Sequence, residues 1–229
     1  MRSSKFQVFL LRWLGNFLVL SSFAGIILTF APAVKAEVVY RVNTVRGVTY
    51  TVAGDSQADL SPAVEEKPLI NLLAGPEPKP LEMTPISPDF NIIIPKIGAN
   101  AKVVHNVDQG NYNEYIKALK TGVAHAKGTV LPGEVGNTFL FAHSVGSFWE
   151  INRWNAVFYL LKELKAGDSV DLFYLGRRFT YVVYDSKVVN PDETQYLSTV
   201  ANFPMLTLQT CWPPGTTLKR LLVFARLSK

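Results

Sequence analysis

One uncharged apolar run near the start of the chain limits what the remainder can fold into. No charged residue occurs from Trp13 to Val34, and Leu, Phe, Ile and Val dominate the run. A helix of about 20 apolar residues is long enough to cross the hydrocarbon core of a bilayer. The basic residues before it, Arg2, Lys5 and Arg12, suit an N-terminus that stays in the cytoplasm. The domain that the chain carries must then follow this run, outside the cytoplasm.

A cleaved signal peptide is the alternative interpretation of the same run. The apolar core of a signal peptide is usually shorter, about 7–15 residues, and a small-residue cleavage site follows it. Residues 34–36, Val-Lys-Ala, loosely resemble such a site, and Lys35, Arg41 and Arg46 weaken the charge argument for an anchor. The length of the run favours a retained signal anchor. Both interpretations export residues 37–229.

Composition divides the chain into three parts. Residues 1–36 carry only basic charges and are predicted to be a cytoplasmic N-terminus with its signal anchor or signal peptide. Residues 37–88 are net acidic and rich in proline, which resists both helix and sheet, so they predict a stiff extracytoplasmic stalk. Residues 89–229 are predicted to be one globular domain. The net charge of +5 is spread out, without the dense basic stripe that nucleic-acid binding requires.

The part after residue 89 is mostly strand-like. Seven or eight short apolar or alternating runs with few helices predict an all-β fold, either a barrel or a sandwich. Helical spacing predicts one short helix over 111–120 and a second around 155–164. The runs 169–175 and 178–189 predict a hairpin that turns at Gly176-Arg177. Before the proline-rich part, the β-branched run 38–52 predicts two short strands that turn near residues 46–47.

The chain has a single cysteine, Cys211. Exported domains tend to use cysteines in disulfide pairs, so a lone one is a free thiol or an intermolecular link. With only one cysteine, the chain has neither an internal disulfide scaffold nor a cysteine-rich metal site. The question is whether this thiol is inert packing or a nucleophile.

Strand geometry predicts a charged neighbour for this thiol. Side chains alternate along a strand, so Cys211 shares a face with Gln209 and Thr207. If the run that ends at Cys211 and the run 218–226 form an antiparallel hairpin, Arg220 stands near the thiol across the ladder. The two prolines that follow Trp212 stiffen the turn between the runs.

These residue types suit acyl transfer on a peptide bond. Only the thiolate attacks, and an arginine, charged at any relevant pH, stabilises either a thiolate or the oxyanion of a tetrahedral intermediate. A histidine gives a proton to the leaving amine and takes one from the next nucleophile. Cys211, Arg220 and His143, which ends an earlier apolar run, are therefore the candidate catalytic residues.

The residues around these three resemble the sortase family. Residues 207–211, Thr-Leu-Gln-Thr-Cys, with Arg220 nine positions later, are similar to the sortase signature Thr-Leu-x-Thr-Cys followed by an arginine. The stretch 122–144 resembles the approach to the sortase histidine, with Ala142 where many sortases have glycine. The resemblance covers nearly all of residues 90–229, without indicating a class within the family.

The resemblance implies a fold and a reaction. The fold would be a closed eight-stranded β-barrel with two or so short helices, preceded by the membrane helix. Cys211 would cleave an LPXTG-like sorting signal through a thioacyl intermediate, with His143 as acid and base and Arg220 holding the oxyanion or substrate. The partners would be surface proteins that carry a sorting signal, and an amine acceptor on a cell-wall precursor or a pilin subunit. No cofactor or metal is required, and the catalytic domain would be extracytoplasmic on a single-pass anchor.

A binding function is the alternative to an enzyme. A membrane-tethered β-domain that scaffolds surface proteins would keep Cys211 as buried packing. Within enzymes, papain-like peptidases usually place the cysteine before the histidine, and peptidoglycan transpeptidases with a Ser-x-Gly-Cys-x-Arg motif do not match residues 209–213. His125 is compatible with lining the site, but a structural or supporting role is the expected one. Three aromatic residues, Trp149, Trp154 and Phe158, could line a peptide groove, but core packing is the preferred interpretation.

Overall fold

Most of the strands belong to a closed barrel. The structure is a computed structural model that describes residues 2–53, 80–144 and 157–228. Within these ranges the chain forms ten strands: β1 (Tyr50–Val52), β2 (Leu81–Met83), β3 (Phe90–Ile94), β4 (Ala99–Val107), β5 (Val123–Ala126), β6 (Gly136–Phe141), β7 (Ser169–Tyr174), β8 (Arg177–Val189), β9 (Pro204–Trp212) and β10 (Lys219–Leu227).

Eight of these strands close in the order β10-β8-β7-β3-β4-β5-β6-β9, and β9 pairs back to β10. Two of the neighbouring pairs, β4 with β5 and β6 with β9, are parallel, and the others are antiparallel. Of the two all-β architectures left open by the strand pattern, the chain adopts the barrel. The predicted closed eight-stranded β-barrel is confirmed.

Alternation along each strand separates the barrel interior from its outer face. On β9, Leu206 and Leu208 point inward, and they pack with Leu140 of β6 and Val223 of β10. All four are completely buried, and burial of one such side chain stabilises the fold by about 1.5–3 kcal/mol. The odd-numbered residues of β9, Cys211 among them, therefore face outward.

A short helix, α2 (Tyr112–Thr121), covers part of the outer face. The side chain of Asn111 caps its first turn by accepting a hydrogen bond from the N–H of Glu114 at 3.3 Å. Its residues Ala118 and Leu119 face the barrel and are buried in one apolar cluster with Phe139 and Phe141 of β6. The helix predicted over 111–120 is confirmed, within one residue at each end.

The N-terminal helix, α1 (Arg2–Val45), continues well past the uncharged run. Its segment Phe6–Ile27 is long and apolar enough to cross a membrane, by length and composition. The prediction of two strands in the run 38–52 is wrong for its first part, which is helical as far as Val45, and only β1 forms. β-Branched residues cost a helix only a few tenths of a kcal/mol each, so tertiary contacts override their preference.

Those contacts dock the end of α1 on the barrel. The carboxylate of Glu37 accepts a hydrogen bond from Nζ of Lys162 at 3.0 Å and another from Nε of Arg41 at 3.0 Å. These two cations, Lys162 foremost, hold the pKa of Glu37 below its ordinary value. Beyond the helix, the ring of Tyr50 lies against Gly98, and its hydroxyl accepts a hydrogen bond from Nδ2 of Asn43 at 3.0 Å.

The proline-rich part lies mostly outside the described residues, which exclude 54–79. The strands on either side of it, β1 and β2, pair with each other in parallel. The N–H of Ala53 donates to the carbonyl of Met83 at 2.9 Å, so the residues that flank the proline-rich part on its two sides lie next to each other. The stalk stays a prediction.

Two smaller predictions differ from the structure in detail. A 3₁₀ helix at Tyr159–Glu163 forms within the predicted helix 155–164, of which residues 155 and 156 lie outside the described residues. The hairpin of β7 and β8 turns at Leu175-Gly176, one position earlier than predicted. Both turn residues have positive φ, 48° and 75°, as a two-residue turn that follows the strand twist requires.

Candidate active site

Cys211 and Arg220 are direct partners across the antiparallel ladder of β9 and β10. The loop between these strands is held by the N–H of Thr216, which donates to the carbonyl of Pro213 at 3.0 Å. Directly opposed residues in such a ladder have Cβ atoms about 4.5–5.5 Å apart. The two runs thus form the antiparallel hairpin on which the expected closeness of Cys211 and Arg220 depended. The thiol of Cys211 is partly exposed.

His143 lies two residues beyond β6, which is the other neighbour of β9. In this parallel pair Phe141 stands opposite Gln209, and the N–H of Ala142 donates to the carbonyl of Gln209 at 3.1 Å. The register, continued by two residues, brings His143 to the level of Cys211. The structure therefore brings all three predicted residues to one end of three neighbouring strands, with Cys211 on the middle one.

The threonine before the cysteine ties the two strands together at this level. The hydroxyl of Thr210 donates to the carbonyl of Ala142 at 3.0 Å, and its side chain is buried. This bond joins the residue that precedes Cys211 to the residue that precedes His143. It fixes the separation of the two backbones at the candidate site.

The first threonine of the same motif supports a neighbouring loop. The hydroxyl of Thr207, completely buried, donates to Oδ1 of Asn137 at 2.8 Å. Nδ2 of Asn137 in turn donates to the carbonyl of Tyr196 at 3.1 Å. Tyr196 ends a 3₁₀ turn, Thr194–Tyr196, between β8 and β9. The motif thereby anchors a loop that borders the site.

A groove on the outer face of the barrel is lined by Arg220 and by residues of β6 and β9, among them Gln209, two positions before Cys211. Its volume is about 330 Å³. Aromatic side chains from α2, β6 and the β8–β9 loop form its walls, and amide and carboxylate side chains lie among them. The residues that line it are Gln109, Tyr115, Phe139, Phe141, Val189, Asn190, Pro191, Glu193, Thr194, Tyr196, Leu197, Gln209 and Arg220. A groove with apolar walls and polar groups between them suits an extended peptide.

The guanidinium of Arg220 is partly fixed by its own loop. Nη1 donates to the carbonyl of Thr217 and to that of Lys219, each at 3.1 Å. A guanidinium has five N–H donors in a planar fork. Within the described part of the chain, these two bonds leave its remaining donors for a ligand in the groove.

Tyr115 is a groove residue that the sequence did not single out as functional. Its ring stacks on Phe141, with centroids 5.6 Å apart and ring planes 12° apart. Burial raises the pKa of the Tyr115 hydroxyl, a negative charge on Cys211 raises it further, and Arg220 acts in the opposite direction. At sequence level Tyr115 showed only the spacing of an amphipathic helix, which indicates packing.

His125 has the structural role predicted for it. Its ring is almost completely buried, and Nδ1 accepts from the N–H of Asn106 at 3.3 Å while Nε2 lies 3.1 Å from the carbonyl of Val130. Burial lowers the pKa of His125, although the bond to Val130 favours the protonated form. Among the residues that the structure describes, no three His, Cys, Asp or Glu side chains cluster as metal ligands would.

Of the three aromatic residues considered for a peptide groove, the structure describes one. Phe158 is completely buried in the barrel core, as predicted. Trp149 and Trp154 lie outside the described residues.

Comparison with known proteins gives one consistent result. The sequence model of a family described as "Sortase domain" matches residues 92–228. A curated relative, Sortase D of Bacillus subtilis (strain 168), is 29% identical over 136 residues, which is 58% of this chain and 60% of the relative. The match thus spans less than two thirds of that relative's length.

Solved structures agree with the family match. Sortase C-1 from Actinomyces oris is 33% identical, covers 63% of this chain and 74% of its own, and superposes with a TM-score of 0.53. The pilus-related sortase C of group B Streptococcus is 30% identical, covers 63% of this chain and 69% of its own, and has a TM-score of 0.52. Sortase C of Clostridium perfringens with the C-terminal cell wall sorting motif is 31% identical, covers 61% of this chain and 69% of its own, and has a TM-score of 0.51.

Proposed function

The chain belongs to the sortase family, whose members are cysteine transpeptidases, and we propose that it cleaves an LPXTG-like sorting signal and transfers the cleaved protein to an amine. Cys211 is the nucleophile, His143 the general acid and base, and Arg220 the group that stabilises the oxyanion. The observation that carries the proposal is the pairing of Cys211 with Arg220 across β9 and β10. A partly exposed thiol beside a fixed positive charge is what a cysteine nucleophile needs.

The reaction proceeds in two acyl transfers. The thiolate of Cys211 attacks the carbonyl carbon of the Thr–Gly bond, and the oxygen takes up the negative charge beside Arg220. When the tetrahedral intermediate collapses, the C–N bond breaks and His143 protonates the leaving amine, so a thioester remains on Cys211. An incoming amine then attacks that carbonyl and gives its proton to His143. The thiolate leaves, and the new amide is released.

The groove supports a peptide substrate. Its aromatic walls suit the apolar side chains of a sorting signal, and Arg220, beside which the scissile bond must lie, is one of its lining residues. One structural relative is described with a C-terminal cell wall sorting motif, and another is described as pilus-related. We propose the same kind of substrate here, a surface protein with such a motif, and an amine on a cell-wall precursor or a pilin subunit as acceptor.

The helix α1 supports a place at the membrane. Its apolar segment Phe6–Ile27 would be a single-pass anchor, with the basic N-terminus in the cytoplasm and the barrel outside. Residues 1–36 are then the cytoplasmic N-terminus and anchor, and 89–229 the catalytic domain. A barrel so placed meets its substrates at the outer face of the membrane.

Acyl-enzyme trapping with the full-length chain tests the proposed reaction. The chain in detergent is incubated with a library of sorting-signal peptides and amines, and mass spectrometry detects both the thioester on Cys211 and the transpeptidation product. Cys211→Ala should give neither species. Product formation by that variant at the wild-type rate would refute the role of Cys211.

Two matched arginine variants test the second residue. Arg220→Lys should lose most of the activity, because a lysine does not reproduce the planar, two-pronged donor. Arg226→Lys is the control, since Arg226 lies on the same strand and packs over the ring of Phe203 at 4.0 Å, outside the groove. Equal turnover by the two variants would remove Arg220 from the mechanism.

A further inference from the structure

Tyr115 occupies a fixed position in the wall of the groove. It belongs to the first turns of α2, where its N–H donates to the carbonyl of the capping residue Asn111 at 2.9 Å. Its ring stacks flat on Phe141, which stands opposite Gln209 in the pairing of β6 with β9. Gln209 lies two residues before Cys211, on the same face of β9. The ring is therefore held against β6 close to the end of the sheet that carries the candidate nucleophile.

The hydroxyl of Tyr115 forms no hydrogen bond with any residue in the part of the chain that the structure describes. Other tyrosines use this group: the hydroxyl of Tyr181 accepts from the N–H of Gly133 at 2.9 Å, and that of Tyr196 accepts from Nζ of Lys187 at 2.7 Å. A half-buried hydroxyl with an unused donor is available to a ligand in the groove.

Electrostatics agree with this placement. Charges on Cys211 and on Arg220 both act on the Tyr115 hydroxyl, and the net result, with burial as the main cause, is a pKa above the ordinary value. The phenol therefore stays protonated, and remains a hydrogen-bond donor, throughout the pH range in which a cysteine transpeptidase works. Arg220 and Tyr115 line the same groove, one from β10 and one from α2.

We propose that the Tyr115 hydroxyl is a second hydrogen-bond donor of the active site, which binds, together with Arg220, the substrate oxygen that becomes negative when Cys211 attacks. The proposal rests on the proposed function. Preorganised donors at a developing oxyanion are worth more in the transition state than in the ground state. Nη1 of Arg220 is already bound to the carbonyls of Thr217 and Lys219, so a donor from the opposite wall completes the site.

The test is a pair of tyrosine-to-phenylalanine variants in the full-length chain. Tyr115→Phe keeps the ring and its stacking on Phe141 and removes only the hydroxyl. We expect kcat for cleavage of an LPXTG peptide to fall roughly 100-fold, the lower end of the 10²–10³ that one oxyanion donor is typically worth in kcat, while KM stays about the same. Tyr112→Phe is the matched control on the same helix, because Tyr112 is 73% exposed. Its kinetics should equal those of the wild type.

The possible results separate this proposal from the proposed function. A wild-type kcat for Tyr115→Phe, with an inactive Cys211→Ala variant, would overturn the role of Tyr115 alone. A raised KM with unchanged kcat would also overturn it, since the hydroxyl would then contact only the bound peptide and not the transition state. If no peptide of the library acylates the wild-type chain, the proposed function is wrong and this proposal falls with it.

Discussion

The bond between Thr210 and the backbone before His143 gives the most decisive prediction. Thr210→Val keeps the shape of the side chain and removes the hydroxyl that donates to the carbonyl of Ala142 at 3.0 Å. Loss of a buried partner costs about 1–3 kcal/mol, of which the added apolar methyl recovers part. We therefore expect the free energy of unfolding to fall by about 1–2 kcal/mol. For a domain of this size that lowers the Tm by roughly 4 °C per kcal/mol.

The expected loss of activity is larger than the loss of stability explains. The Thr210 bond fixes how far the backbone of β9 at Cys211 lies from that at His143, and a misplacement of about 1 Å at a reacting pair costs up to 10²-fold in rate. We expect kcat/KM for peptide cleavage to fall at least roughly tenfold at 20 °C, where the variant is still folded. Thr210→Ser, which keeps the donor, should restore most of it.

A control with a matched stability loss makes the assay specific. Tyr181→Phe removes another buried hydrogen bond, to the N–H of Gly133, from a side chain that is completely buried in the barrel core. It should lose a similar free energy of unfolding, measured by urea titration, with kcat/KM close to the wild type. A Thr210→Val variant with wild-type kcat/KM would refute the positioning argument. So would equal activity losses in Thr210→Val and Tyr181→Phe.

Three further predictions concern pH, docking and packing. Burial lowers the pKa of His125 in the folded chain. Near and below the ordinary histidine pKa of about 6.5, the unfolded chain therefore binds more protons than the folded chain, and the free energy of unfolding should fall as the pH drops from about 7.5 to 5.5. The same slope in His125→Gln, measured by urea titration, would exclude His125 as the source of this pH dependence. Because Glu37 and Lys162 are ion-paired at 3.0 Å through two long side chains, a short bifunctional maleimide should join cysteines placed at these two positions in a Cys211→Ala background, seen as a mobility shift on gels. Absence of that crosslink would contradict the docking of α1. A methyl group on Gly122 would collide with a backbone carbonyl of β4, so Gly122→Ala should lower the Tm by several degrees in calorimetry, and an unchanged Tm would show that this close approach is not rigid.

Local sequence pattern was most informative for the part of the site that lies on the hairpin of β9 and β10. The alternation in residues 205–211 predicted which side chains share the face of Cys211, and the short proline-containing loop is compatible with the hairpin on which the approach of Arg220 depends. Both features follow from backbone geometry, because a strand has a period of two and a short loop returns the chain beside itself. From the order of residues, Cys211 and Arg220 were expected to lie near each other if the two runs formed a hairpin, and the ladder of β9 and β10 makes them direct partners.

The N-terminal part shows where local pattern misleads. The valines of the run 38–52 are typical of strands, yet helix α1 continues through most of them. Helix propensities differ by only tenths of a kcal/mol per residue. The docking of Glu37 on Lys162, 125 residues later in the chain, lies outside any local window.

The amino-acid order by itself determined the anchor-like run, the strand content and the hairpin that pairs a thiol with a guanidinium. Only the tertiary structure decided that β6 lies parallel to β9, with His143 at the level of Cys211, and that α2 brings Tyr115 over the same groove. The reason is physical. Periodicity and loop length act between residues that are close in sequence, whereas closure of a barrel pairs strands according to how all the apolar faces can be buried together.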